Sequence, residues 1–283
     1  MMPVTRSKLL ARVNCAVGET QLITAVIQYT AAAVTDRGRK RPSNEDAFGY
    51  SVEHGVYAVC DGMGGAAAGE IASSLAVDEV LRLFDAPPRT DENEGEIPAS
   101  DTFRSQVERA EQAVQAANHA IYIRSRRNYR LNGMGTTLVM LVADENHLWA
   151  VNVGDSRCYR LRQNNLEQIT LDHSLVEEQI RAGRMTRAEA SRSPLRNVIT
   201  RALGTQNHVT ADTFPLEAEP GDLYLLCSDG LTRELSDPQI EALMGTDDPL
   251  EEKCARLVSA AKKAGGHDNI TCILVHASSS SVQ

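Results

Sequence analysis

The chain has 283 residues, 42% of them hydrophobic and only 4% aromatic, enough for a substantial, mostly aliphatic core in one large domain or two small ones. A formal net charge of -9 argues against nucleic acid as the main partner. The six cysteines (15, 60, 158, 227, 254 and 272) include no C-x-x-C pair, which disfavours a zinc module or a disulfide framework and points to free thiols in a reducing compartment.

Residues 1–22 carry Arg6, Lys8 and Arg12 without a long apolar stretch behind them, and are expected to form a loosely ordered extension. The apolar run at 22–34 is interrupted by Gln28 and Tyr29 and is too short to cross a bilayer. No membrane span and a cytoplasmic location are therefore expected. Strand-like runs are predicted over 23–35 and 47–60, separated by the basic loop 36–44. Apolar residues Ile71, Leu75, Val80 and Leu83 recur at helical spacing, predicting a helix over 66–84. A proline-containing acidic loop over 85–100 precedes a long alanine-rich helix over 103–127, which has neither Pro nor Gly. Strands follow at 136–143, 147–153, 158–162 and 166–170, then short helices at 174–182 and 186–191. Strands at 209–215 and 222–227, helices at 238–244 and 249–263, and a last strand at 269–277 complete the pattern, before a disordered tail at 278–283. Many strands on hairpin-length links, with two long helices early and another late, predict an α+β fold: packed sheets flanked by helices. One domain over 23–277 is expected.

Five aspartates stand where hydrophobic strands meet turns. Asp61 follows Val56-Tyr57-Ala58-Val59-Cys60 and precedes Gly62-Met63-Gly64-Gly65; Asp229 follows Leu225-Leu226-Cys227-Ser228 and precedes Gly230. Asp155 lies in Gly154-Asp155-Ser156-Arg157, Asp268 precedes Asn269, and Asp46 closes Asn44-Glu45-Asp46. A strand aims such a carboxylate, and glycine lets a cation or phosphate approach the backbone. Taken singly, an Asp-Gly after a strand is usually a turn; several on one chain suggest a polynuclear, oxygen-ligated metal centre.

The ordered series from Asp36-Arg37-Gly38 through Arg41 to Glu45-Asp46, then Asp61-Gly62-Met63-Gly64-Gly65, Gly135-Thr136-Thr137, Gly154-Asp155-Ser156-Arg157, Ser228-Asp229-Gly230 and Asp268-Asn269 resembles the metal-dependent type 2C serine/threonine protein phosphatases of bacterial type. The resemblance implies an antiparallel β-sandwich with helices on both outer faces, and hydrolysis of phosphoserine and phosphothreonine in proteins by a water or hydroxide bridging two divalent ions. It implies two tightly bound Mn or Mg ions and a weaker third. Asp61 would bridge the pair, the Gly62 carbonyl would ligate one ion, and Asp229 and Asp268 would complete the other's shell. Glu45 and Asp46 would act mainly through metal-bound water, Asp155 would hold the third ion, and Arg41 would bind substrate phosphate. Substrates would be phosphoproteins, made by a cognate Ser/Thr kinase, and the enzyme a monomer.

Elementary chemistry agrees with that assignment. A phosphate dianion is repelled by carboxylates unless cations invert the field. Ligands that are all oxygen favour Mg or Mn over Zn, and no G-x-S-x-G or C-x5-R motif supplies a protein nucleophile. Many relatives from eukaryotes carry His where this chain has Met63, which cannot donate a proton. Metal-bound water is then the first candidate for the general acid and His267 the second. Thr136 and Thr137 read as structural. Residues 172–205 correspond to the family's variable flap and carry Arg181, Arg184, Arg187, Arg192, Arg196 and Arg201. These either solvate helix faces or steer acidic, phosphorylated substrates.

Overall fold

Several central strands read as unbroken apolar runs because both faces of their sheets are covered. The computed structural model describes residues 27–65, 68–86, 99–144 and 147–279; the expected N-terminal extension and the end of the tail lie outside them. One antiparallel sheet orders β1 (Ile27–Asp36), β11 (Ile270–Ser279), β10 (Leu223–Cys227), β7 (Arg157–Arg162) and β8 (Asn165–Gln168). The other orders β2 (Asp46–Ser51), β3 (Val56–Met63), β5 (Leu138–Asp144), β6 (His147–Val153) and β9 (Asp212–Glu217), with the short β4 (Gly135–Thr136) on the end of β3.

Period-two alternation assigns the layers. Tyr57 and Val59 of β3 meet Tyr224 and Leu226 of β10 and Ile273 and Val275 of β11 between the sheets. The opposite face of β3, Val56, Ala58 and Cys60, packs against Ala72, Ala76, Val80 and Phe84 of α1 (Ala68–Asp85), with Ala113, Val114 and Ile121 of α2 (Ala99–Arg127) in the same cluster. On the far side, Leu223, Leu225 and Cys272 pack with Cys254, Leu257, Val258 and Ala261 of α7 (Leu250–Ala264). Those four recur at helical spacing. Glu251 and Glu252 in the first turn and Lys262 and Lys263 in the last complement the α7 dipole. The result is the expected sandwich of two sheets between helices.

The remaining helices are α3 (Leu175–Arg181) and α4 (Arg187–Ala190) in the flap, then α5 (Asp229–Thr232) and α6 (Asp237–Met244). Several local expectations change, and the strand expected at 209–215 is displaced to Asp212–Glu217. Asp61 lies within β3 rather than beyond it, and its partner in the β2–β3 register is Asp46. Asp229 opens the one-turn helix α5 instead of a tight turn. Strand β11 continues past 277 to Ser279 because β1 offers a partner along its whole length, Ile27 opposite Ser279.

Candidate metal centre

Asp46 and Asp61 face each other across neighbouring strands, an arrangement of like charges that ordinarily destabilises a sheet. A local rule broken at a buried position marks a functional site. Each aspartate is held by a different device. Asp61 is fixed through its backbone: its N–H donates to Thr137 Oγ1 at 2.9 Å, and its carbonyl accepts from Thr136 Oγ1 and Thr137 N, both at 2.9 Å. Thr136 and Thr137 thus serve structure, as expected from the sequence. Thr137 Oγ1 also shares a 2.7 Å hydrogen bond with Ser156 Oγ, beside Asp155.

Asp46 ties the sheets together. Its Oδ2 accepts from Ser228 Oγ at 2.7 Å and Thr271 Oγ1 at 2.6 Å. Thr271→Val should therefore cost about 1–3 kcal/mol, because a buried carboxylate loses a donor; the check is a lower denaturant midpoint at unchanged m.

Gly62 is required by close approach: a Cβ there would lie 2.2 Å from the Gly69 carbonyl oxygen and 2.5 Å from that of Glu45. The same contact brings Glu45 to the site, where Gly62 N donates to Glu45 O at 3.1 Å. Asn269 organises the basic loop. Its Oδ1 accepts from Glu45 N at 2.8 Å, and its Nδ2 donates to the carbonyls of Arg37 and Ser43 at 2.9 Å each. Gly230 brings α5 against β11, since a Cβ would meet Asn269 O at 1.9 Å. Asp229 and Asp268 are drawn together by that approach.

Asp155 is buried. The preceding residue is anchored by His173, which accepts from Gly154 N at Nδ1 (3.0 Å) and donates its own N–H to Gly154 O (2.9 Å). Arg157 is not the partner of Asp155; it forms a bidentate pair with Asp172, at 2.9 and 2.7 Å. Arg41 Nη2 donates to Asp268 Oδ2 at 2.7 Å. Arg37 and Arg39 instead reach the backbone carbonyls of Pro42 and Lys262. Sequence reading did not single out Arg233, which contacts Asp229, lies 3.2 Å from Asp268 and 3.8 Å from Asp155. Its one sequence signal is a spacing of four residues from Asp229, which becomes a contact only because α5 forms there. His173 and the Ser228–Thr271 pair carry no comparable signal, because their roles depend on contacts distant in sequence.

Two adjoining cavities, about 550 and 790 Å³, share Arg41, Asn197, Asp229, Arg233 and Asp268. The smaller adds Glu45, Asp61, Gly62 and Met63; the larger adds Asp155, Arg187, Arg196 and His267. His267 Nδ1 lies 2.7 Å from Glu234 Oε1. Of the other flap arginines, Arg181, Arg184 and Arg192 are exposed, and Arg201 pairs with Asp212 at 2.6 Å.

Electrostatics mark the site as deficient in cations. Burial first, then Asp46, Asp229 and Asp155, holds the Asp61 carboxyl well above its usual range. Burial and Asp155 do the same for Asp229, against the pull of Arg233. Burial also raises Asp155 and Glu45, and pushes Asp46 up to about 6 despite its two hydroxyl donors.

The donors suit Mg or Mn: hard oxygens only, with Asp46 Oδ1, Asp155 Oδ1 and Asp229 Oδ1 buried and without a hydrogen-bond partner. Among the described residues, no three of these side chains stand close enough to share one ion as placed. The guanidinium groups of Arg41 and Arg233 sit among them.

A helix-covered antiparallel sandwich thus gathers carboxylates and arginines at one rim, donors suited to divalent ions and to phosphate. The family model described as protein phosphatase 2C matches residues 36–275. The chain is 38% identical over 244 residues to the serine/threonine phosphatase stp of Listeria monocytogenes, covering 85% of this chain and 93% of that one. It is 40% identical over 253 residues to the serine/threonine protein phosphatase PstP of Mycobacterium tuberculosis, covering 89% of this chain and 45% of that one. The crystal structure of PstP superposes with a TM-score of 0.77 at 37% identity, over 89% of this chain and 98% of that one. A PstP catalytic domain solved with two manganese ions superposes at 0.75 and 36% identity, over 90% of this chain and all of that one. The chain belongs to the protein phosphatase 2C family and is a metal-dependent serine/threonine protein phosphatase.

Proposed function

We propose that Asp61, the Gly62 carbonyl, Asp229 and Asp268 hold two Mn or Mg ions, and that Asp155 serves a weaker third. Glu45 and Asp46 act through water at the same centre. The observation that carries this reading is the set of buried carboxylate oxygens without partners at one rim. When bound, such ions acidify the attacking water, align it and offset the charge of the phosphate.

The chain supplies the rest. Arg41, with 49% of its side chain exposed at the cavity mouth, offers a planar fork to two phosphate oxygens. Met63 lines the smaller cavity but cannot give a proton. The leaving serine or threonine oxygen takes its proton from water at the site. His267, in the wall of the larger cavity, is the second candidate. Arg187 and Arg196 face that cavity and favour acidic phosphoprotein segments, the products of a cognate Ser/Thr kinase. We read residues 23–277 as one catalytic domain, monomeric and cytoplasmic. No helix of the described residues is long and apolar enough to cross a membrane.

Arg41→Ala should raise KM for phosphopeptides by about ten- to a hundredfold, with a smaller loss in kcat, because the contact exists in the ground state too. Arg41→Lys should recover part of it. Steady-state kinetics beside Arg39→Ala decides the matter: equal, small effects would remove Arg41 from the site. Turnover of free phosphoserine as fast as of a phosphothreonine peptide would overturn the protein-substrate reading.

A further inference from the structure

Two guanidinium groups stand where the proposed cation ligands converge: Arg41 pairs with Asp268, whereas Arg233 reaches Asp155, Asp229 and Asp268. Arg233 follows Asp229 by four residues at the end of α5, which puts both side chains on one face. Its Nη2 contacts Asp229 Oδ2 and lies 3.8 Å from Asp155 Oδ2; its Nη1 lies 3.2 Å from Asp268 Oδ2. Asp155 and Asp229 each keep a second, buried oxygen without a partner, so this cation satisfies the corner only in part. Arg233 lines both cavities, and 31% of its side chain is exposed, so it can swing outward without crossing packed core. Phosphate binding does not require it, since Arg41 already supplies a fork.

We propose that Arg233 is a built-in counter-ion for the Asp155–Asp229–Asp268 corner, which a divalent cation must displace, and that it sets how weakly that cation is held. The inference rests on the metal-centre reading above. Carboxylates of like charge repel one another, and a cation placed among them stabilises the metal-free chain. An incoming ion gains the same oxygens only after the charge-assisted hydrogen bonds of Arg233 are broken. The corner therefore fills at higher metal concentration than its carboxylate count alone would set.

The test is Mn titration of the full-length, metal-free protein by calorimetry, without substrate, alongside thermal melting. Arg233→Gln should bind Mn at one site tighter by on the order of tenfold. Its metal-free form should melt below wild type, and the gap should close at saturating Mn. Arg233→Lys, which keeps the charge, should bind Mn more like wild type than like Arg233→Gln. Equal Mn affinity in wild type and Arg233→Gln, within about twofold, or weaker binding by the variant, overturns the proposal while leaving the metal centre standing. If neither protein binds Mn, the metal-centre reading itself falls.

Discussion

Replacing Asp61 or Asp229 by asparagine should lower kcat on a phosphothreonine peptide by about a hundredfold or more, the scale of removing one preorganised electrostatic contact from an active site. An amide keeps the shape but not the charge that would hold divalent ions. The same substitutions have an opposite effect on the metal-free fold. Both carboxyls are held above their ordinary range, chiefly by burial, so the folded state disfavours their ionised forms. A raised folded-state pKa contributes stability that is fully present below the unfolded value, about 3.9 for Asp, and lost as pH rises through the folded one. Metal-free wild type should therefore gain stability from this cluster as pH falls from neutrality through about 6, where Asp46 titrates. Each Asn variant should melt higher than wild type at neutral pH and show a shallower pH dependence. Kinetics and metal-free melting curves on the same preparations check both. A variant with full kcat, or one whose metal-free form is less stable than wild type at neutral pH, would contradict the assignment.

Chelation should abolish turnover, and Mn or Mg should restore it. The site offers hard oxygens from Asp46, Asp61, Asp155, Asp229 and Asp268, and no thiol or imidazole among them. Thiol alkylation should leave activity intact, since Cys60, Cys158, Cys227, Cys254 and Cys272 are buried. Burial also pushes the thiols of Cys60, Cys158 and Cys227 up, keeping them protonated and unreactive. The measurement is phosphopeptide hydrolysis after dialysis against EDTA, after adding back each metal, and after treatment with iodoacetamide. Full activity in metal-free buffer would remove the metal from the reaction.

Much of this molecule is legible before any fold is known. The strand runs, the long helix ending at Arg127 and the acidic first turn of α7 follow from periodicity and end chemistry, which act over a few residues. The ordered motifs from Asp36 to Asn269 give the family, because each aspartate is written beside the glycine or asparagine that positions it. Contacts between residues far apart in the chain follow a different logic. Asp46 receives Ser228 and Thr271 from another sheet, and His173 anchors the backbone beside Asp155. Neither is encoded in local spacing. Arg157 turns to Asp172 and leaves Asp155 to Arg233, a choice set by which strand ends meet at the rim. Spacing and propensity are local quantities, and they settle the elements and the inventory of carboxylates. Which cation neutralises which carboxylate is a question of distance after packing, and the two sheets must close on one another before it has an answer.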